Sequence, residues 1–166
     1  MRKRTLAATT AGILFAGAGL FLHASDWLIW NRTGSAPKGL YRLSGDPFTP
    51  GRWVAVSAES EAAKWAASHG FVGEGWPLIK QIAALPGAEI CRKNLDIFVD
   101  GKPVAKALLR DAGGRDMPAW SGCFVLREDE MFLLNAHPRS LDGRYFGATK
   151  REDVDGVAVL LFSVPG

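Results

Sequence analysis

Residues 5–25, TLAATTAGILFAGAGLFLHAS, carry no Asp, Glu, Lys or Arg, and this stretch limits the topology of everything after it. About 20 apolar residues are what a helix needs to cross the hydrocarbon core of a bilayer. Arg2, Lys3 and Arg4 stand directly before it and would stay on the cytoplasmic side, while Trp27 and Trp30 follow it with rings suited to the far membrane interface. Gly12, Gly17 and Gly19 weaken the helix without breaking the pattern. The expectation is a cytoplasmic tip and single N-terminal transmembrane helix in residues 1–30, with a domain of residues 31–166 on the other side. A cleaved signal peptide is the alternative, because a charged start and an apolar middle also mark one, and His23, Ala24 and Ser25 are compatible with cleavage.

With 166 residues, 48% of them hydrophobic, the chain can bury the core of one ordinary domain beside that anchor. The net charge of +3 comes largely from the extreme N-terminus and from scattered basic residues rather than one stripe, so nucleic-acid binding has no footprint. Cys91 and Cys123 lack both CxxC spacing and the companions of a zinc site. They read as one structural disulfide in an oxidising compartment, with two buried free thiols as the alternative. His69 and His23 have no metal-site companions, and GDPFTPG lacks the lysine and hydroxyl of a phosphate loop. Neither a metal nor a cofactor is expected.

The remainder is strand-like. Residues 40–43 and 52–57 predict short strands separated by SGDPFTPG, whose glycines and prolines break regular structure. Alanine-rich residues 59–69 predict one short helix ending at Gly70, a left-handed cap. Residues 77–85 form an apolar strand interrupted by a single lysine, Lys80, and closed by Pro86 and Gly87. Residues 89–99 and 103–108 flank Asp100 and Gly101, a tight hairpin turn. A loop over 111–121 and strands over 123–126 and 131–135, joined by a turn at 127–130, follow. Residues 157–164 are a continuous aliphatic run that predicts a buried strand. The fold expected is mainly β.

Two blocks carry candidate chemistry. In TGSAPKGLY (33–41), Ser35 follows a glycine, and alone it would be an ordinary turn hydroxyl. In PLIKQIAALPG (77–87), Lys80 alone would be a strand lysine reaching water along its stem. Together they can do more. A serine hydroxyl needs a base to take its proton, and a lysine becomes that base when a dry, apolar site disfavours its ammonium form. A third block, NAHPRSLDGRYFG (135–147), adds Ser140, Asp142 and Arg144.

In this order the three blocks resemble the type I signal peptidases, specifically the TraF-type conjugal-transfer peptidases, over residues 31–162. The resemblance implies a signal-peptidase-like antiparallel β domain in which Ser35 is the nucleophile and Lys80 the general base. Thr33, two residues before the nucleophile, would add an oxyanion donor to the backbone amide of Ser35. Ser140 would orient the lysine amine, and Asp142 and Arg144 would brace the site, Asp142 with an assisting role. A surface ion pair between Asp142 and Arg144 is the alternative reading of those two. Ala36 where methionine is usual, Ala88 after LPG, and the lack of a GDN opening around Asn135 point away from general preprotein cleavage and toward the conjugal branch.

What the resemblance implies is a serine endopeptidase in the inner membrane with its catalytic domain in the periplasm. It would process a pilin precursor or other exported peptide within a conjugation apparatus, by hydrolysis or by cyclisation. Two competing readings remain. A Ser/His/Asp arrangement would use His137 and Asp142, and a non-catalytic assembly factor of a conjugation apparatus would use neither base.

Overall fold

The computed structural model describes residues 28–164. The expected transmembrane helix therefore lies outside the described residues, and among those residues no helix is long and apolar enough to cross a membrane.

Eleven strands form two antiparallel sheets. The strands are β1 (Leu28–Asn31), β2 (Gly39–Ser44), β3 (Trp53–Val56), β4 (Leu78–Ala84), β5 (Glu89–Lys93) and β6 (Asp96–Val99). They continue with β7 (Lys102–Lys106), β8 (Gly122–Val125), β9 (Glu130–Leu134), β10 (Thr149–Lys150) and β11 (Val154–Ser163). The larger sheet runs β1-β2-β11-β3-β4-β9-β10, and the smaller runs β7-β6-β5-β8. Helix α1 (Glu61–Ser68) and the single turn α2 (Gly143–Phe146) complete the regular structure among the described residues, with a 3-10 turn over Arg151–Asp153. The mainly β expectation holds, with few helices.

Period-2 alternation places the core. On β4, Leu78 and Ile82 enter one apolar cluster with Val54, Val56, Ala63, Ala66, Met131 and Leu133, so α1 packs on the large sheet. Ile79 points to the other face, among Ala36, Tyr41, Ala55 and Ala158. The small sheet closes a third cluster in which Ile90 and Ile97 meet Phe132 and Leu134 of β9. Lys80 shares its face with Leu78 and Ile82, opposite Val54 of β3.

Several local expectations are met for the physical reasons given. Gly70 adopts φ +73° directly after α1, as a left-handed cap requires. The helix itself starts at Glu61, because the Ser60 side chain accepts from the Ala63 amide and caps it. Asp100 and Gly101 both adopt positive φ, 47° and 74°, the geometry of a type I′ hairpin.

Other features differ from the sequence expectation. Residues 89–99 are two strands, not one, because Asn94 takes φ 57° and turns the chain back; asparagine tolerates that region. Residues 28–30, grouped with the anchor in the sequence reading, belong to β1 and pair with β2. The expected buried strand starts earlier, at Val154, and is buried only as far as Ala158. Beyond its pairing with β3 it emerges, leaving Leu161 and Phe162 about half exposed (49% and 50%). Trp30 lies beside Phe162, ring centroids 5.8 Å apart, so one end of the large sheet presents an apolar edge.

Candidate active site

The loop carrying Ser35 joins β1 to β2, and its shape is set by Asn31, the last residue of β1. Asn31 is buried at 6% exposure. Its Nδ2 donates to the carbonyls of Thr33, Ala36 and Pro37, and its Oδ1 accepts from both the backbone amide and the hydroxyl of Thr33. One amide side chain thus imitates a strand partner for a loop that has none. Tyr41 supports the loop from below, its hydroxyl donating to the Pro37 carbonyl at 2.7 Å. Burial pushes that phenol up to about 12, so it remains a donor. Gly39 closes the loop at φ +149°, where a Cβ would sit 2.1 Å from the Phe162 carbonyl oxygen.

Lys80 is supplied by the centre of β4 and is 5% exposed. Removal from water pushes its ammonium down to about 8; the Asp142 carboxylate opposes that shift and the Arg144 guanidinium assists it. Its Nζ donates to Ser140 Oγ at 3.4 Å, at the long end of the hydrogen-bond range. Ser140 is itself buried, and its amide donates to the His137 carbonyl.

The segment from Asn135 to Arg144 is held by a buried ion pair. Arg144 Nε donates to Asp142 Oδ1 at 2.8 Å, with side-chain exposures of 3% and 0%. The remaining Arg144 nitrogens reach Asp142 Oδ2 and the carbonyls of Asn135 and Pro138. Asp142 Oδ2 also accepts from the Asn135 amide. The pair is therefore an internal fastening rather than a surface bridge. Asn135 carries that fastening to the lysine: its Oδ1 accepts from the Gln81 amide and its Nδ2 donates to the Ile79 carbonyl, the two residues flanking Lys80.

A cleft of about 710 Å³ opens between these elements. Ser35, Lys80 and Ser140 line it together with Thr33 and the apolar side chains of Phe71 and Leu141. A more open groove continues on the other side of Ser35, past Lys38, Trp53 and His137. Among the described residues there is no grouping of His, Cys, Asp or Glu that could hold a metal.

The structure thus brings Ser35, Lys80, Thr33 and Ser140 to one cleft, with Asp142 behind it. Thr33 already donates its hydroxyl proton to Asn31. His137 is exposed and accepts from the Arg139 amide, and Asp142 is committed to Arg144 and Asn135, so among the described residues no carboxylate orients the imidazole. Asn31 and Asn135 were not singled out by sequence reasoning. The signal is an asparagine closing each apolar run, LIWN and MFLLN, at the entry to an active block.

The family model described as "Signal peptidase, peptidase S26" matches residues 4–163. The chain belongs to the signal peptidase S26 family. Within it, the plasmid transfer protein TraF of Escherichia coli is 28% identical over 170 residues, covering 93% of this chain and 96% of that protein. The conjugal transfer protein TraF of Agrobacterium fabrum is 30% identical over 164 residues, 92% of each. The probable conjugal transfer protein TraF of Sinorhizobium fredii is 32% identical over 139 residues, 77% of this chain and 73% of that one. A solved signal peptidase I from Enterococcus faecalis aligns with 69% of this chain and 98% of its own at 19% identity and a TM-score of 0.39, too distant to bear on the site. This S26 member is a TraF-type, signal-peptidase-like protein.

Proposed function

We propose that this chain is a membrane-anchored serine endopeptidase that uses Ser35 and Lys80 to cleave a membrane-associated precursor, a conjugative pilin. The observation that carries the reading is Lys80: a buried lysine with its ammonium depressed to about 8, on the same cleft as Ser35. At neutral pH about a tenth of such lysines are unprotonated, against roughly one in 2,500 for a lysine in water. A base of this kind is rare by accident and useful for acyl transfer.

In the proposed cycle Lys80 Nζ takes the Ser35 hydroxyl proton as Oγ attacks the scissile carbonyl carbon. The Ser35 backbone amide donates to the oxyanion. Thr33 joins it by exchanging its bond to Asn31 for one to the oxyanion. The proton on Lys80 passes to the departing amine as the C–N bond breaks and an ester remains on Ser35. Water, or the pilin's own N-terminal amine, then displaces Ser35 and gives a linear or cyclic product. The TraF names of the relatives support the conjugal setting, and the cysteine pairing supports an oxidising compartment such as the periplasm.

The test is intact-mass analysis of the pilin precursor after incubation with the full chain. Wild type yields a trimmed product, and a product lighter by one water signals ring closure. Ser35→Ala and Lys80→Arg yield none, because arginine keeps its charge and cannot serve as base. Processing by either variant defeats the dyad.

A further inference from the structure

The small sheet contributes nothing to the cleft, yet it contains a buried cation. Arg92, the next-to-last residue of β5, is 3% exposed, and among the described residues it makes no ion pair. A guanidinium without a counter-ion is an expensive group to bury, so its partners are informative. Its Nε donates to the Asn94 carbonyl across the hairpin turn, and its Nη1 donates to the Arg144 carbonyl at 2.8 Å, 52 residues away on α2.

Two more bonds converge on the same turn from the same side. Trp120 Nε1, just before β8, donates to the Gly143 carbonyl at 3.0 Å. The Leu108 amide, just after β7, donates to the Tyr145 hydroxyl at 3.1 Å. The opposite side of the turn rests on β9, where Gly143 leaves no room for a Cβ: one would sit 2.6 Å from the Phe132 ring and 2.8 Å from the Leu133 carbonyl oxygen. The turn that presents Arg144 to Asp142 is therefore gripped from the small sheet on one side and seated on the large sheet on the other. Cys91, next to Arg92, is bonded to Cys123, three residues beyond Trp120, which ties two arms of the grip together.

We propose that Arg92 is a positioning residue for the general base: with Trp120 it clamps the 143–146 turn, fixing through Arg144 and Asp142 the segment that holds Ser140 against Lys80. The proposal rests on the assignment of Lys80 as base, but its geometry does not depend on which peptide is cleaved. Releasing the turn loosens the Asp142–Arg144 fastening and lets water approach the lysine.

The deciding measurement is the titration of the Lys80 side chain, followed by NMR in the full chain labelled at lysine Cε, which reads the clamp without requiring turnover. In wild type a midpoint of about 8 is expected. Arg92→Gln raises it by about one unit toward the solvent value, and Trp120→Phe, which keeps a ring and removes only the N–H donor, raises it by about half a unit. With the pilin precursor as substrate, both variants lower kcat while KM stays within about twofold. Unmoved midpoints in the folded variants overturn the clamp, and if Arg92→Gln does not fold, Trp120→Phe decides alone. A wild-type chain that titrates as expected but never processes precursor defeats the peptidase assignment and leaves the clamp standing.

Discussion

The loop that carries Ser35 is held by neutral side chains, Asn31 foremost with Tyr41 beneath it, whereas the segment that carries Ser140 is fastened by a buried ion pair, Asp142 with Arg144. Neutral hydrogen bonds are individually modest but set direction, and the asparagine supplies donors and an acceptor at once. A buried pair must be complete, since removing one charge strands the other in a dry site. The proposed nucleophile is thus aimed by a fitting that can adjust, as an attacking group must when Oγ moves toward a carbonyl. The proposed base is set in a fixture that holds or fails as a whole.

That contrast is broken most directly at Asp142. Asp142→Ala leaves Arg144, 2% exposed, without its counter-charge, and a loss of about 3 to 5 kcal/mol in denaturant-induced unfolding is expected. A loss below about 1 kcal/mol would mean that the pair fastens little. Asn31→Ala should cost less, about 1 to 3 kcal/mol, while lowering kcat on the pilin precursor by tenfold or more because the loop loses its shape. If kcat is retained, the loop is held by its neighbours and the comparison fails on that side. The smallest effect belongs to His137→Ala, on neither fastening: precursor processing within about twofold of wild type is expected, and a hundredfold loss would reinstate the imidazole as base.

How much of this was visible in the sequence depends on the range of the interaction. Strands with period-2 patterning, the DG turn and the glycine cap after α1 are local, and their residues announce them. The turn at Asn94 was missed because KNLD lacks a glycine, the residue that usually marks so tight a reversal. The exposed end of β11 was misjudged because LLFSV is equally apolar whether or not another strand covers it. Ser35 and Lys80 were legible only through their blocks. The roles of Asn31 and Asn135 were not: Asn31 meets only its own loop, whose shape the residue letters do not announce, and Asn135 meets residues 54 and 56 positions away, which only strand register brings together. Arg92 was silent for the same reason, because a basic residue in a hairpin strand looks solvated until the turn it holds is packed beside it.

The short connection at the start of the described chain sets a measuring distance. Ser35 stands seven positions beyond Leu28, a stretch that fully extended spans at most about 25 Å. With the proposed anchor directly before β1, the cleft works as a ruler fixed to the bilayer. Bonds within that height would be reachable by a precursor still embedded in lipid, and bonds beyond it would be spared whatever their sequence. Selection of the cleavage point would then rest on altitude as much as on side chains, so lengthening the tether between anchor and β1 should move the cut along the substrate.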